Sequence, residues 1–189
     1  MENIILTDAD GVLLNWTDTF QEWMRDRGYH LLNPNTYSVA EQYGLTDKVK
    51  KILVKQFNDS STIGFLPPHK DALRYVRKMH EEMGYVFRVI TSVSLDPYSM
   101  RLREQNLRDL FGTAIEHVIC LDTGADKDDQ LNMYQGRDMM WVEDKPENAE
   151  IGYKFGLTSI IMGHDHNAGY EGECVRVNGW KDIYDTLIG

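Results

Sequence analysis

With 189 residues, 42% hydrophobic and 26% charged, the chain fits one globular domain or one domain with a modest insertion, and its composition excludes disordered and fibrous classes. A formal charge of −10 argues against long nucleic acid as a partner, whereas a small phosphorylated molecule stays compatible because a bound cation reverses the sign of one pocket. No apolar run reaches the roughly 18 residues that span a bilayer, and MENIILTDAD lacks a basic and apolar leader, so a cytoplasmic protein without a membrane partner is expected, with Cys120 and Cys174 reduced.

The run from Asn3 to Thr7 reads as a buried strand that delivers Asp8-Ala9-Asp10-Gly11 into a loop. The following stretch is helical in pattern and too long for an ordinary crossover, which predicts a core of residues 1–15 and 84–189 and a helical cap insertion with a return helix over residues 16–83. Inside it, Phe20, Trp23 and Met24 form a stripe ending at Gly28, Ser38 and Glu41 match a capping box, and Val49, Ile52, Leu53 and Phe57 mark another helix. Ala72, Leu73, Val76 and Met79 share one face of the return helix, which packs on the sheet. Further strands are predicted at Tyr85 to Ile90, His117 to Leu121, Met139 to Val142 and Thr158 to Met162. Between them, Asp96-Pro97 opens one helix, Pro146 opens another that Gly156 closes, and a last helix near Trp180 to Ile188 buries Trp180, Ile183, Tyr184 and Leu187. Strands alternating with helices make the fold class α/β with a Rossmann-like parallel sheet.

Asp8 and Asp10 stand where a parallel strand ends, the place where α/β folds collect their active sites. Two carboxylates in one cavity repel unless a cation or a retained proton is present, although the same pattern also occurs in plain loops and calcium sites. Thr91-Ser92 ends a strand and offers hydroxyls and backbone N–H groups to a phosphate. Lys127 follows another strand and suits phosphate oxygens, while an isolated lysine is more often a solvated surface charge. Glu143-Asp144 closes a hydrophobic strand and suits a metal, or simply charges a helix start before Pro146.

Through ILTDADGVLLNW, VITS, Lys127 and WVEDKPENA the sequence resembles the haloacid dehalogenase superfamily of phosphohydrolases. GFLPPHKDALRYVRKM and the helical insertion resemble, within it, the 5'(3')-deoxyribonucleotidases and related phage or bacterial proteins. The resemblance implies a magnesium-dependent phosphomonoesterase with Asp8 as nucleophile, Asp10 as acid and base, Thr91, Ser92 and Lys127 on the phosphate, and Mg2+ held among Asp8, Asp10, Asp144 and Glu143. It implies a nucleoside monophosphate as substrate, with sugar phosphates, polynucleotide ends or non-catalytic nucleotide binding as alternatives. Two departures stand out: Glu143-Asp144 replaces the common pair of aspartates, and Val93 follows Thr91-Ser92 where proline is frequent. Trp16 either stacks on a base, as the resemblance implies, or packs the cap hinge, and Phe65 is a second pocket candidate for which a core role is expected. His164 and His166 have a spacing that suits a transition metal but lack a third ligand nearby, so a solvated loop is expected.

Overall fold

The computed structural model describes residues 3–34, 36 and 38–189. Strand β1 (Ile4–Thr7) lies inside a six-stranded sheet with β2 (Val86–Ser92), β3 (Ile115–Leu121), β4 (Met140–Glu143), β5 (Thr158–Met162) and β6 (Val175–Val177), in the order β3-β2-β1-β4-β5-β6. Every neighbouring pair is parallel. Helices cover both faces, which is why the inner strands read as continuous apolar runs. Side chains alternate accordingly: Ile5, Val89 and Val142 join the core under one helical layer, and Leu6, Ile90 and Trp141 join the core under the other.

The first layer contains α4 (Ala72–Met83), α5 (Pro97–Phe111) and α8 (Trp180–Ile188). Ala72, Val76 and Met79 of α4 and Trp180 and Ile183 of α8 are buried there as their spacing predicts. The second contains α6 (Asp128–Asn132) and α7 (Pro146–Lys154). Asp96 caps α5 by accepting from the backbone N–H of Tyr98 and Ser99, each at 3.0 Å, and proline opens both α5 and α7.

Between β1 and α4 lie α1 (Trp16–Arg25), α2 (Val39–Tyr43) and α3 (Asp47–Asn58). Phe20, Trp23, Tyr43 and Phe57 bury an aromatic cluster among them, with Phe20 and Phe57 edge to face at 5.2 Å. Burial of each such side chain contributes about 1.5–3 kcal/mol, which holds three short helices that would not persist alone.

Four sequence expectations change here. Helix α1 ends at Arg25 with Asp26 as its cap, and Gly28 sits beyond it at φ +80°. The capping box at Ser38 does not form: Glu41 bonds the Thr36 hydroxyl instead, and Ser38 donates its backbone N–H to that same hydroxyl at 3.3 Å. Ile52 faces solvent at 48% exposure, while Leu53 and Phe57 carry the buried side of α3. Strand β6 was not anticipated, because three residues at a sheet edge are too short to show a period. Among the described residues, no helix is long and apolar enough to cross a membrane.

Candidate active site

The strand order places the C-terminal ends of β1 and β4 side by side at the topological switch point, where helices leave a crevice open above the sheet. Asp8 continues β1 by donating its backbone N–H to Val142 at 2.9 Å. Its side chain and those of Glu143 and Asp144 bring carboxylate oxygens within 4.8 Å of one another. Lys127, only 2% exposed, reaches into this group with Nζ 2.9 Å from Asp8 Oδ2 and 2.7 Å from Glu143 Oε2. Lys127, expected on the phosphate rather than as a solvated surface charge, is thus buried in the crevice, because paired carboxylates offset its desolvation.

Glu143 is fully committed: besides Lys127, it accepts from the backbone N–H of Asp144 and Lys145 at 3.2 Å each and from Asn148 Nδ2 at 3.4 Å. Its added methylene lets the carboxylate fold back onto its own chain, which leaves Asp144 and Asp8 facing the crevice. Burial, and then the Lys127 contact working against it, set the Asp8 carboxyl at about 7. Asp144 is also pushed up to about 7, by burial first and then by Asp8. Lys127 is held well above its ordinary range: burial opposes its charge, but Asp8 and Glu143 outweigh it. A set of hard oxygen donors with excess negative charge fits a magnesium ion. The crevice is tight as well: a Cβ on Gly11, whose φ is +73°, would stand 2.6 Å from Asp144 Oδ2.

Asp10 lies beside this trio and pairs with a different cation. Its carboxylate receives both terminal nitrogens of Arg103, at 2.5 and 3.0 Å, and is not part of the acidic group named above. Arg103 lies on the stripe of α5 formed by Ser99, Arg103, Asn106, Leu107 and Phe111, all buried, and sequence reasoning missed it. A cation at that helical position was the available signal. Thr91 is buried at the end of β2, and its hydroxyl finds no partner among the described residues. The Ser92 hydroxyl instead donates to the Ala125 carbonyl at 2.8 Å, so its proton braces the loop before Lys127.

The loop after β5 is not the solvated segment expected. His164 Nε2 donates to the Gly11 carbonyl at 2.7 Å, and His166 Nε2 and Asn167 Nδ2 meet the Asp144 carbonyl at 3.1 and 2.9 Å. His164 lies between His69, tilted to it at 4.8 Å, and His166, stacked on it at 5.1 Å. Burial, ahead of other causes, pushes His164 down to about 4 and His69 to about 3, so the neutral His164 ring braces the Gly11 loop while His69 packs against it. Trp16 stacks on Phe20 at 4.5 Å and donates to Asn58 Oδ1 at 3.0 Å, and Asn58 in turn donates to the Val93 carbonyl at 2.9 Å. The indole therefore ties α1 to α3 and, through Asn58, to the loop after β2. Phe65 is 77% exposed, which overturns the expected core role; Leu66 is the buried neighbour.

No protein-family model matches the chain. It is 26% identical, over all of its length and 70% of the relative's, to an uncharacterized 32.4 kDa protein of the Gp30-rIII intergenic region of Enterobacteria phage T4. Among solved structures it is similar to a haloacid dehalogenase-like hydrolase from Streptococcus pneumoniae, with TM-score 0.67 and 10% identity, covering 99% of this chain and 100% of that one. It is also similar to the L-2-haloacid dehalogenase PA0810, with TM-score 0.61 and 12% identity over 97% and 98%. A beta-phosphoglucomutase from the archaeon Pyrococcus sp. strain ST 04 gives TM-score 0.55 and 16% identity over 98% and 96%. At such identities the likeness speaks for architecture, and across nearly its whole length this chain has the haloacid dehalogenase-like fold.

Proposed function

We propose that the chain is a magnesium-dependent phosphomonoesterase that forms an aspartyl-phosphate on Asp8 and acts on small phosphorylated molecules, nucleoside monophosphates first among them. The observation that carries this reading is the Asp8 carboxylate fixed at the switch point by a buried Lys127 beside Asp144. Asp8, with one oxygen on Lys127 and the other on the Ala9 backbone N–H at 2.7 Å, is oriented for attack on phosphorus. Lys127 and the unpartnered Thr91 hydroxyl are the groups available to phosphoryl oxygens. Asp10 protonates the leaving oxygen and then, as a carboxylate, accepts a proton from the water that cleaves the acyl phosphate. Asp8 and Asp144 would hold the magnesium ion, which supplies charge neutralisation between a carboxylate nucleophile and a phosphate dianion.

Nucleotide preference is supported by the sequence resemblance and by the exposed aromatic ring of Phe65 in the insertion. The beta-phosphoglucomutase likeness keeps sugar phosphates as the second reading. The insertion over residues 16–83 acts in this proposal as the cap that selects the substrate, with α4 returning the chain to the sheet. The test is a hydrolysis screen of nucleoside monophosphates against sugar phosphates with magnesium, with Asp8→Asn as control. Turnover confined to the wild type, and abolished by chelator, is expected. Phosphate release by Asp8→Asn above a few per cent of wild type would remove Asp8 as nucleophile.

A further inference from the structure

We infer that Arg103 is the positioning residue for the acid and base of this site, holding the plane of the Asp10 carboxylate from behind; the inference rests on the phosphatase reading above. Three observations carry it. First, Arg103 is wholly buried on α5 and its guanidinium forks onto Asp10, with Nη1 and Nη2 each taking one oxygen. Such a two-point contact fixes the carboxylate's rotation as a single bond does not. Second, nothing else explains the cation. Its Nε has no partner among the described residues, and the other positions of the buried stripe are uncharged, Ser99 and Asn106 polar and Leu107 and Phe111 apolar. A buried guanidinium costs several kcal/mol to desolvate, and an apolar residue would pack this helix at lower cost. Third, Asp10 keeps 24% of its side chain exposed while Arg103 shows none. A molecule arriving from solvent therefore meets Asp10 and not the guanidinium.

The fork takes one lone pair from each carboxylate oxygen and leaves the others for proton exchange. In the first half-reaction an Asp8 carboxylate oxygen bonds phosphorus while the bond to the leaving oxygen breaks, the pair staying on that oxygen, which takes the proton of the Asp10 carboxyl O–H. In the second, the Asp10 carboxylate takes a proton from the attacking water as the bond between phosphorus and Asp8 breaks, the pair returning to Asp8. Both transfers require Asp10 within hydrogen-bond reach of a group held elsewhere, so a loss of orientation reduces turnover rather than binding.

The experiment is a double-mutant cycle of Arg103→Met and Asp10→Asn, with Arg103→Lys alongside, assayed on para-nitrophenyl phosphate with magnesium and with thermal melts of every variant. Arg103→Met is expected to lower kcat by about a hundredfold, the scale of a general acid–base contribution, with KM changed less than threefold. Arg103→Lys, which keeps the charge and one donor, should recover part of that loss. In the Asp10→Asn background Arg103→Met should change kcat by less than about twofold, since a group acting through Asp10 has nothing left to position. An equal loss in both backgrounds, or a loss confined to KM, would overturn the assignment. If Arg103→Met fails to fold, Arg103→Lys takes its place in the cycle and the same non-additivity decides. A wild type that hydrolyses no phosphate ester would instead sink the phosphatase reading, whereas an active wild type, an Asp10→Asn variant slowed but measurable and an unimpaired Arg103→Met would sink only the positioning role.

Discussion

Replacing Lys127 with Met keeps the packing of the buried stem and removes a cation that Asp8 and Glu143 share, at 2.9 and 2.7 Å. Breaking a buried ion pair from one side costs about 3–5 kcal/mol, because the remaining charge is left uncompensated. Here Asp8, Glu143 and Asp144 would all lose a neighbour that favours their ionised forms. Burial, as the leading cause, raises Asp8 and Asp144 from 3.8 to about 7, so the stability they affect is highest at low pH and falls as pH rises through the folded value. Without Lys127 those values rise further, and the variant's deficit should grow between pH 5.5 and pH 8. Urea unfolding followed by tryptophan fluorescence, without added cation, measures it directly. The expected deficit at pH 8 is about 3–5 kcal/mol, smaller at pH 5.5 where Asp8 and Asp144 are protonated in both proteins. Magnesium should return part of it at pH 8. A deficit under about 1 kcal/mol at pH 8, or one indifferent to pH, would refute the view that Lys127 serves as the internal counterion of this acidic group.

Gly11→Ala places a methyl 2.6 Å from Asp144 Oδ2 at a backbone φ of +73°, so Asp144 must shift. Magnesium titration followed by thermal melting should show affinity weakened by about tenfold or more, the scale of a misoriented ligand, and unchanged affinity would show that Asp144 does not face the ion. Trp16→Ala removes the stack on Phe20 and the bond to Asn58. A stability loss of about 3–5 kcal/mol with equal impairment on a nucleoside monophosphate and on para-nitrophenyl phosphate is expected. A KM increase confined to the nucleotide, with an unchanged melt, would restore base stacking as its role.

What the amino-acid order settled was everything that depends on local period and on strand ends. The apolar runs before Asp8, Thr91 and Glu143 located β1, β2 and β4, since an inner parallel strand must be apolar on both faces. The ends of adjacent parallel strands meet, so Asp8 and Glu143-Asp144, far apart in the chain, were readable as neighbours. What only the tertiary structure decided was which polar groups are buried together. Lys127 was expected on a phosphate, but its burial between two carboxylates comes from the packing alone. Arg103 meets Asp10 across 93 positions, a pairing that no local pattern encodes, although its place on a buried helical stripe marks it as unusual. The histidines after β5 owe their role to Gly11 and Asp144, brought beneath them by the sheet. Trp16 was open between two roles because an indole suits a base and a hinge equally; the Asn58 and Phe20 contacts come from helices that only the packed insertion sets side by side. Desolvation drives all of these choices: a charge or an indole N–H is buried where its partner arrives from elsewhere in the chain, and sequence spacing does not record that arrival.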